Sequence, residues 1–225
     1  MSRFPAVTAI VPMRHNSERV PGKNYRPLAG RPLYHCIVET LLSVPEVTQI
    51  VVDTDSPVIL EELPRRFPSV LALERPEHLR AGEISMNEVL LNTVGRLEAD
   101  WFLQTHSTNP LLKPETISAA IGALLESPEH DSLFTVTRLQ TRLWSETGAP
   151  VNHDPAVLVR TQDLPPVFEE NSCLYIFRKE TLIRRGNRLG ERPLMYPIPQ
   201  KEAIDIDEEL DFILAEFLVA QAEKN

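Results

Sequence analysis

The stretch Ala9-Ile-Val-Pro-Met-Arg-His-Asn-Ser-Glu-Arg-Val-Pro-Gly-Lys-Asn24 indicates how this chain folds. The apolar run Val7–Val11 predicts a buried β-strand, and Pro12 ends it. The loop that follows carries three cations, namely Arg14, Arg19 and Lys23. Many α/β proteins bind phosphate where a strand leads into a basic, glycine-containing loop, because backbone N–H groups and cations converge there on the anion. The stretch therefore predicts a nucleotide-binding protein.

The same loop could instead be an ordinary basic loop in solvent. It is not a P-loop, since the pattern Gly-x-x-x-x-Gly-Lys-Ser/Thr is absent. Three cations within ten residues of one another, beside a strand end, nevertheless favour phosphate binding. In that hypothesis Arg14, Lys23 and Arg19 act together with backbone amides near Asn16 and Ser17.

The composition indicates an ample hydrophobic core and no membrane segment. Of the 225 residues, 42% are hydrophobic, which suits one domain over residues 1–225. No run of about 18 apolar residues is present, so no membrane partner is expected. The first residues lack an apolar signal region, and 2 cysteines are too few for a disulfide scaffold. We therefore expect a cytoplasmic protein.

The charge is unevenly distributed along the chain. Residues 1–31 carry six basic side chains and one acidic side chain, although the net charge of the whole chain is −9. An acidic protein with one cationic loop is a poor match for nucleic acid, whose binding depends on many contacts between cations and phosphates. It is a better match for a small polyanion that binds where the cations are concentrated.

Short apolar runs alternate with helical patterns. The predicted strands are Val7–Pro12, Gln49–Asp53, Val70–Leu73, Trp101–Thr105, Leu133–Thr137, Cys173–Phe177 and Ala203–Ile206. The predicted helices are Leu33–Leu42, Val58–Phe67, Ile84–Leu97, Pro114–Leu125 and a C-terminal helix with the apolar face Leu210, Ile213, Leu214, Phe217 and Leu218. This alternation predicts an α/β fold with a mostly parallel sheet flanked by helices and with ligands at the carboxyl ends of the strands.

Residues 138–163 interrupt the pattern. Gly148, Pro150 and Pro155 fall in this segment, which has little helical periodicity. A hairpin or protruding arm suits such a segment better than another strand and helix.

Two Asp-x-Asp pairs are candidate metal ligands. Asp205-Ile-Asp207 and Asp53-Thr-Asp55 each follow or end a predicted strand. Residues i and i+2 of a strand point to the same face, where two carboxylates repel each other unless a cation lies between them. Mg²⁺ prefers such oxygen ligands together with substrate phosphates. Either pair could instead cap the following helix, and the spacing does not choose between them.

Polar residues near two other strands could bind a substrate. Gln104-Thr-His-Ser-Thr-Asn109 follows the Trp101 strand, where side chains could bond a base or a sugar. It could equally be a polar loop ahead of the Pro114 helix. Asn171, before the Cys173 strand, could bond a substrate hydroxyl or a buried turn.

In this order, the segments resemble the acylneuraminate cytidylyltransferases, also called CMP-sialic acid synthetases. The matching blocks span the chain and are Ile10–Asn24, Pro27–Leu33, Leu103-Gln104, Asn171–Phe177 and Ile204–Asp211. The resemblance implies a Rossmann-like nucleotide-diphospho-sugar transferase fold and a homodimer. It also implies that CTP and a nonulosonic, sialic-type acid react to give the CMP-sugar and pyrophosphate, with Mg²⁺.

The resemblance also implies roles for individual residues. Arg14 and Lys23 would contact the CTP phosphates, with Asn16, Ser17 and Asn24 nearby and with Arg75 close to the nucleotide. Gln104, Asn171 and Arg160 would bind the sugar. Asp205 and Asp207 would bind metal, which favours this pair over Asp53 and Asp55, and Asp207 would join Arg14 and Lys23 in catalysis. The 138–163 arm would reach across the dimer to the partner's site.

Three positions depart from the family's pattern. His15-Asn16 stands where the family usually has two glycines, although Asn tolerates positive φ. Gln104 and Pro110 are two residues further apart than in the usual motif. The arginine that meets the sugar carboxylate has no aligned counterpart, and Arg160 lies one position away.

Two other functions remain open from the sequence. A 3-deoxy-manno-octulosonate cytidylyltransferase would share the fold and the CTP chemistry, but its loop usually continues as Pro-Gly-Lys-Pro, whereas this chain has Pro21-Gly-Lys-Asn24. A non-catalytic nucleotide-binding regulator could keep the same fold. The presence of Arg14, Lys23, Asp205 and Asp207 argues against that regulator.

Overall fold

The computed structural model describes residues 5–222. Its helices and strands are, in chain order, β1 (Val7–Met13), β2 (Pro27–Leu28), β3 (Arg31–Pro32), α1 (Leu33–Leu42), β4 (Val47–Thr54), α2 (Pro57–Arg66), β5 (Val70–Glu74), α3 (Met86–Gly95), β6 (Trp101–Thr105), α4 (Pro114–Leu125), β7 (Ser132–Leu139), β8 (Val167–Arg178), α5 (Lys179–Arg185), β9 (Pro193–Pro197) and α6 (Glu209–Ala222).

Seven of the strands form one mixed sheet in the order β5-β4-β1-β6-β8-β7-β9. β1 pairs in parallel with β4 and β6, β4 pairs in parallel with β5, and β7 pairs in parallel with β9. β8 is antiparallel to both of its neighbours, β6 and β7. The predicted mostly parallel sheet flanked by helices is confirmed. The carboxyl ends of β1, β4 and β6 therefore meet at one edge of the sheet.

β1 lies in the middle of the core and is buried along its whole length. Val7, Ala9 and Val11 pack with α1, α2 and α4, whereas Ile10 packs in a second cluster with α3 and α5. Successive side chains of a strand point to opposite faces, so both faces of β1 are covered. This double burial explains why the run is continuously apolar rather than alternating.

Residues 140–166 form an irregular excursion between β7 and β8. Outside the named strands, one antiparallel bridge joins Trp144 and Pro150 in the described chain, and a short 3-10 turn covers Thr161–Asp163. Asn152 closes the excursion, because its Nδ2 donates to the Thr141 carbonyl at 2.7 Å and its Oδ1 accepts from Leu143 N–H at 2.9 Å. Hydrogen bonds from side chains replace much of the ladder that a regular hairpin would have.

The predicted strand Ala203–Ile206 is wrong. This segment has no strand partner in the described chain, and Ile206 N–H donates instead to the Thr108 carbonyl at 3.0 Å. The loop after β6 therefore holds the backbone just before α6. Two elements that the sequence reading did not contain, α5 and β9, follow β8.

The predicted apolar face of the last helix is also wrong. α6 buries Phe212, Ala215 and Val219, whereas Leu210, Ile213, Leu214 and Phe217 are exposed. Because α6 has apolar residues around most of its circumference, periodicity does not decide which stripe faces the core. Within residues 5–222, no helix is both long and apolar enough to cross a bilayer.

Candidate active site

A cavity of about 600 Å³ lies at the carboxyl ends of β1, β4 and β6. Its wall combines the loop after β1, Asp55 after β4, the segment Arg80–Gly82 ahead of α3, and the loop after β6. The residues that line it are Pro12, Met13, Arg14, Asn16, Ser17, Glu18, Arg19, Lys23, Asn24, Asp55, Arg80, Gly82, Met86, His106, Ser107 and Thr108. Five of the predicted nucleotide-binding residues, Arg14, Asn16, Ser17, Lys23 and Asn24, therefore lie together.

Asn24 holds the basic loop in shape. Its Nδ2 donates to the Arg14 carbonyl at 2.7 Å, and its Oδ1 accepts from Ser107 Oγ at 2.6 Å. Asn24 is 7% exposed, so both bonds are largely shielded from water. One side chain thus closes the loop on itself and fastens it to the loop after β6.

His15 occupies the position of one missing glycine without left-handed backbone. Its N–H donates to Asp55 Oδ1 at 2.7 Å, its Nδ1 lies 2.9 Å from Ser56 Oγ, and its ring stacks on Tyr25 with centroids 5.2 Å apart. In the described chain, positive φ outside glycine occurs only at Ala29 and Ser172. The loop therefore reaches its conformation without the freedom of two glycines at 15 and 16.

The cations of the loop contact the far end of the chain. Lys23 Nζ donates to the Ile206 carbonyl and lies 3.8 Å from Asp207 Oδ1, and Arg19 pairs with the same oxygen at 2.7 Å. Burial lowers the pKa of Lys23, and the nearby carboxylates of Asp207 and Asp205 oppose that effect. Arg14 donates to the Gly82 carbonyl at 3.2 Å. Positive charge thus faces the cavity from more than one side.

Asp205 and Asp207 meet the loop at this place. Among the described residues, Asp205 Oδ1 is buried without a hydrogen-bond partner. Burial raises the pKa of Asp205, a hydrogen bond from Thr108 opposes it, and the charge of Asp207 raises it further. An orphaned carboxylate oxygen beside a second carboxylate suits a cation that prefers oxygen ligands. In the described chain no group of three or more His, Cys, Asp or Glu residues could hold a metal, so substrate oxygens would complete such a site.

Asp53 and Asp55, the other Asp-x-Asp pair, lie in different environments. Asp53 Oδ1 accepts from Arg75 Nε at 2.6 Å, and its Oδ2 accepts from Thr93 Oγ1 at 2.6 Å. Asp53 and Arg75 are each 1% exposed, whereas Asp55 lies on the cavity wall. Both oxygens of Asp53 are occupied, so this pair does not form a shared metal site. Arg75 likewise does not reach the cavity, because its guanidinium is buried on Asp53, which argues against direct contact with a nucleotide.

The predicted sugar-binding residues lie in three different environments. Gln104 is buried next to the cavity, with its Nε2 2.9 Å from Nε2 of the cavity residue His106. Asn171 bridges to β7, accepting from Thr135 Oγ1 at 2.7 Å and donating to Thr137 Oγ1. Arg160 is exposed and pairs with Asp163 at 2.7 Å, so the structure does not bring it to the cavity of its own chain.

The sequence did not predict a polar cluster that lies behind the cavity and centres on Arg188. Arg188 donates to Gln104 Oε1, and its guanidinium carbon lies 3.5 Å from the centroid of the Tyr175 ring. His106 joins them through Gln104, and burial, followed by the charges of Arg188 and Lys23, lowers the pKa of His106 to about 4. Arg188 lies in a loop without a motif, so no sequence pattern indicated it.

A comparison with known proteins shows the family to which this chain belongs. A sequence model of the family described as cytidylyltransferase matches residues 8–218. The chain belongs to this cytidylyltransferase family. The match includes the cavity loop, Gln104 and both members of the Asp205–Asp207 pair.

This cytidylyltransferase is similar in sequence to two named enzymes. It is 28% identical over 223 residues to N-acylneuraminate cytidylyltransferase A of Danio rerio, covering 93% of this chain and 50% of that protein. It is 29% identical over 231 residues to CMP-N,N'-diacetyllegionaminic acid synthase of Legionella pneumophila, covering 95% of this chain and 96% of that protein. The chain thus spans about half the length of the Danio rerio protein and nearly all of the Legionella protein.

A solved structure supports the fold of this cytidylyltransferase. CMP:2-keto-3-deoxy-manno-octonic acid synthetase, solved in complex with CTP, superposes with a TM-score of 0.72 at 16% identity, over 96% of this chain and 99% of that chain. The predicted nucleotidyltransferase fold is therefore confirmed.

Proposed function

We propose that this protein transfers CMP from CTP to a sialic-type nonulosonic acid, with release of pyrophosphate. One observation carries the proposal: Arg19 and Lys23, which line the cavity on the basic loop after β1, both contact Asp207 of the Asp205–Asp207 pair. Cations for a triphosphate and carboxylates for a metal are the two requirements of nucleotidyl transfer. The names of the Danio rerio and Legionella pneumophila relatives support the sialic-type acid as the acceptor.

The chain's own residues would act by position and charge. Arg14 and Lys23, with backbone N–H groups at Asn16 and Ser17, would hold the CTP phosphates. The anomeric hydroxyl of the acid would attack the α-phosphorus, forming a new P–O bond as the bond to pyrophosphate breaks and the hydroxyl proton is released. Arg14 and Lys23 would offset the charge that builds on the departing pyrophosphate. This scheme has no covalent enzyme intermediate.

We propose Asp205 and Asp207 as the ligands of Mg²⁺. The buried Asp205 Oδ1 without a partner among the described residues supports this assignment. When bound, Mg²⁺ would neutralise phosphate charge and acidify a coordinated hydroxyl. Isothermal titration of Mg²⁺ in the presence of a non-hydrolysable CTP analogue should show weaker binding for Asp205→Asn than for the wild type. An unchanged Mg²⁺ affinity in that variant would remove Asp205 from the site.

We propose that the acid binds beyond the nucleotide, near Gln104 and Asn171. Gln104 lies next to His106 on the cavity wall, which supports a sugar pocket continuous with the nucleotide cavity. The side chain of Asn171 makes three hydrogen bonds within the fold, so we propose that it shapes this pocket.

We further propose a homodimer in which the 138–163 arm covers the partner. Trp144, Val151, Val157 and Leu158 are exposed apolar residues of the arm, and Leu158 is 93% exposed. Apolar side chains that point outward from an excursion are typical of an interface. Light scattering after size exclusion should give twice the chain mass for the wild type and a monomer for Leu158→Asp. A monomeric wild type would contradict the dimer. We also propose a reducing, cytoplasmic setting, since Cys36 and Cys173 are both buried and form no disulfide in the described chain.

One experiment separates the three functions. CTP and Mg²⁺ are incubated with N-acetylneuraminate, its deaminated analogue, legionaminate, pseudaminate and 3-deoxy-manno-octulosonate, and pyrophosphate release is measured. We expect release with at least one nonulosonic acid. Release with 3-deoxy-manno-octulosonate alone would make this the octulosonate enzyme. CTP binding without release for any acid would indicate the non-catalytic regulator.

A further inference from the structure

Arg188 is a largely buried cation. It lies in the loop between α5 and β9, where its NH1 donates to Gln104 Oε1 and its guanidinium covers the Tyr175 ring at 3.5 Å. It forms no ion pair with a carboxylate of the described residues. The acid that influences it electrostatically is Glu170, whose carboxylate accepts a hydrogen bond from the Tyr175 hydroxyl.

Burying a guanidinium costs free energy because the cation loses hydration. Burial lowers the pKa of Arg188, opposed by Tyr175 and Glu170, yet a guanidinium keeps its proton in proteins. The aromatic ring and the Gln104 oxygen compensate only part of the hydration that the cation loses. A guanidinium has five N–H donors in a fixed fork, and one of them is directed to Gln104. An incoming carboxylate would therefore find further donors and a charge that is only partly compensated.

The loop around Arg188 is rigidly held. Arg188 N–H donates to Asn87 Oδ1 at 3.2 Å, and Gly190 N–H donates to Ser132 Oγ at 2.8 Å. A Cβ at Gly190 would lie 2.0 Å from Asp131 Oδ1, so only glycine allows the loop to approach this closely. The backbone of the loop is thus held at the arginine itself and two residues after it. Preorganised donors bind an anion at a lower entropic cost than mobile donors.

The neighbours of Arg188 place it directly behind the cavity. His106 lines the cavity and contacts Gln104, and Met86, the residue before Asn87, also lines it. His106 experiences positive charge from both Arg188 and Lys23. Cationic groups therefore lie at two places around one cavity, Lys23 on the phosphate loop and Arg188 behind the wall formed by His106.

We propose that Arg188 binds the carboxylate of the sugar acid, with Gln104 as the residue that orients it. This assignment rests on the proposed function, in which one substrate is a triphosphate and the other is a carboxylic acid. The cations of the phosphate loop and Arg188 behind His106 would match these two anions. Arg160, exposed and already paired with Asp163, is the competing candidate.

The test compares a sugar acid with its methyl ester. The acid that gives the highest turnover in the panel is used, and its KM is measured for the wild type, Arg188→Met, Arg188→Lys, Arg160→Met and the exposed control Arg184→Met. Arg188→Met should raise the KM for the acid about 10- to 100-fold, the effect of losing hydrogen bonds to a charged group. The KM for CTP should change less than about twofold. Arg188→Lys should recover part of the loss, since it keeps the charge but not the fork.

The methyl ester tests whether Arg188 contacts the carboxylate of the sugar acid. For the wild type, esterification should raise the KM by a similar factor, and in Arg188→Met the acid and the ester should bind alike. A purely structural role for Arg188 would leave the difference between acid and ester intact, and that result would overturn the assignment. If the difference in KM between acid and ester disappears in Arg160→Met and persists in Arg188→Met, Arg160 binds the carboxylate instead. A wild type that is inactive with every acid would overturn the proposed function, and the carboxylate assignment with it.

Discussion

Two segments of this protein share the pattern Asp-x-Asp beside the same cavity, yet they have opposite environments. Asp53 is fully enclosed, and both of its oxygens are bonded, to Arg75 and Thr93. Asp205 is also largely buried, but its Oδ1 has no partner among the described residues. Asp55 holds the His15 backbone, whereas Asp207 meets Arg19 and Lys23. Equal spacing therefore produces a structural pair in one place and a candidate metal pair in the other.

The hydrogen-bond partners of a carboxylate, rather than its spacing in the sequence, therefore decide its role. A buried acid with all its acceptors satisfied by a buried arginine stabilises the fold and has no capacity left for a ligand. A buried acid with a free acceptor loses stability that a cation can restore. The four variants below test this division, in order of decreasing expected effect.

Asp53→Ala should have the largest effect, and the effect should be on stability. It leaves the Arg75 guanidinium buried without its anion, which typically costs about 3–5 kcal/mol. Urea unfolding followed by circular dichroism measures the loss. The double variant Asp53→Ala/Arg75→Met should recover part of it. A loss below about 1 kcal/mol would show that this pair does not hold the fold.

Asp207→Ala should instead reduce turnover and leave the fold intact. The side chain is 49% exposed, so its removal opens no cavity. Loss of one key electrostatic stabiliser typically lowers kcat by at least about 10²-fold. Pyrophosphate release measures kcat, and Glu208→Ala, an exposed neighbour, serves as the control with near-normal turnover. Near-normal turnover in Asp207→Ala itself would refute the metal assignment.

Asp55→Ala should have a moderate effect on both the stability of the fold and the binding of CTP. The His15 N–H loses its acceptor at 2.7 Å, which should cost about 1 kcal/mol of stability. We expect a severalfold higher KM for CTP, because the basic loop loses one of its anchors, with little change in kcat. Steady-state kinetics with CTP as the varied substrate measures this. A loss in kcat as large as that of Asp207→Ala would make Asp55 part of the metal site after all.

Asp131 is an acid whose hydrogen-bond partners are mostly backbone N–H groups. Burial acts to raise its pKa, but hydrogen bonds from Glu191 and Arg192 N–H groups outweigh it and lower the pKa from 3.8. A folded-state pKa below the unfolded value contributes stability above pH 3.8, and this contribution is lost as the pH falls through the folded value. The stability gap between wild type and Asp131→Asn should therefore be full at pH 6 and shrink below pH 3.8. A gap that stays constant down to pH 3 would contradict this.

The central fold was predictable because its signals are local. The boundaries of α1, α4 and β6 match the predicted ones, since Pro114 and the apolar runs mark them. The β1 loop and its cations were likewise visible in one stretch. The local sequence does not reveal that Ile206 N–H donates to the Thr108 carbonyl rather than to a neighbouring strand. Nor could it show which side of the nearly all-apolar α6 would be buried.

The site was predictable where a motif carries it and hidden where tertiary contacts create it. Lys23 and Asp207 each belong to a recognisable block. Arg188 acquires its setting only when the loop before β9 folds against Gln104 and Tyr175, which lie on other strands. Arg75 shows the reverse case, in which a family position suggested the nucleotide but Asp53 holds the side chain.

The contact between Lys23 and Ile206 spans 183 residues, and that between Arg19 and Asp207 spans 188. Ribosomes synthesise the chain from its amino end, so the phosphate loop emerges first and its carboxylate partners emerge near the end. A nascent chain without residues 204–207 can already pack β1 between β4 and β6, but Lys23 has no Ile206 carbonyl and no Asp207 beside it. Nucleotidyl transfer would therefore be one of the last properties that a growing chain acquires.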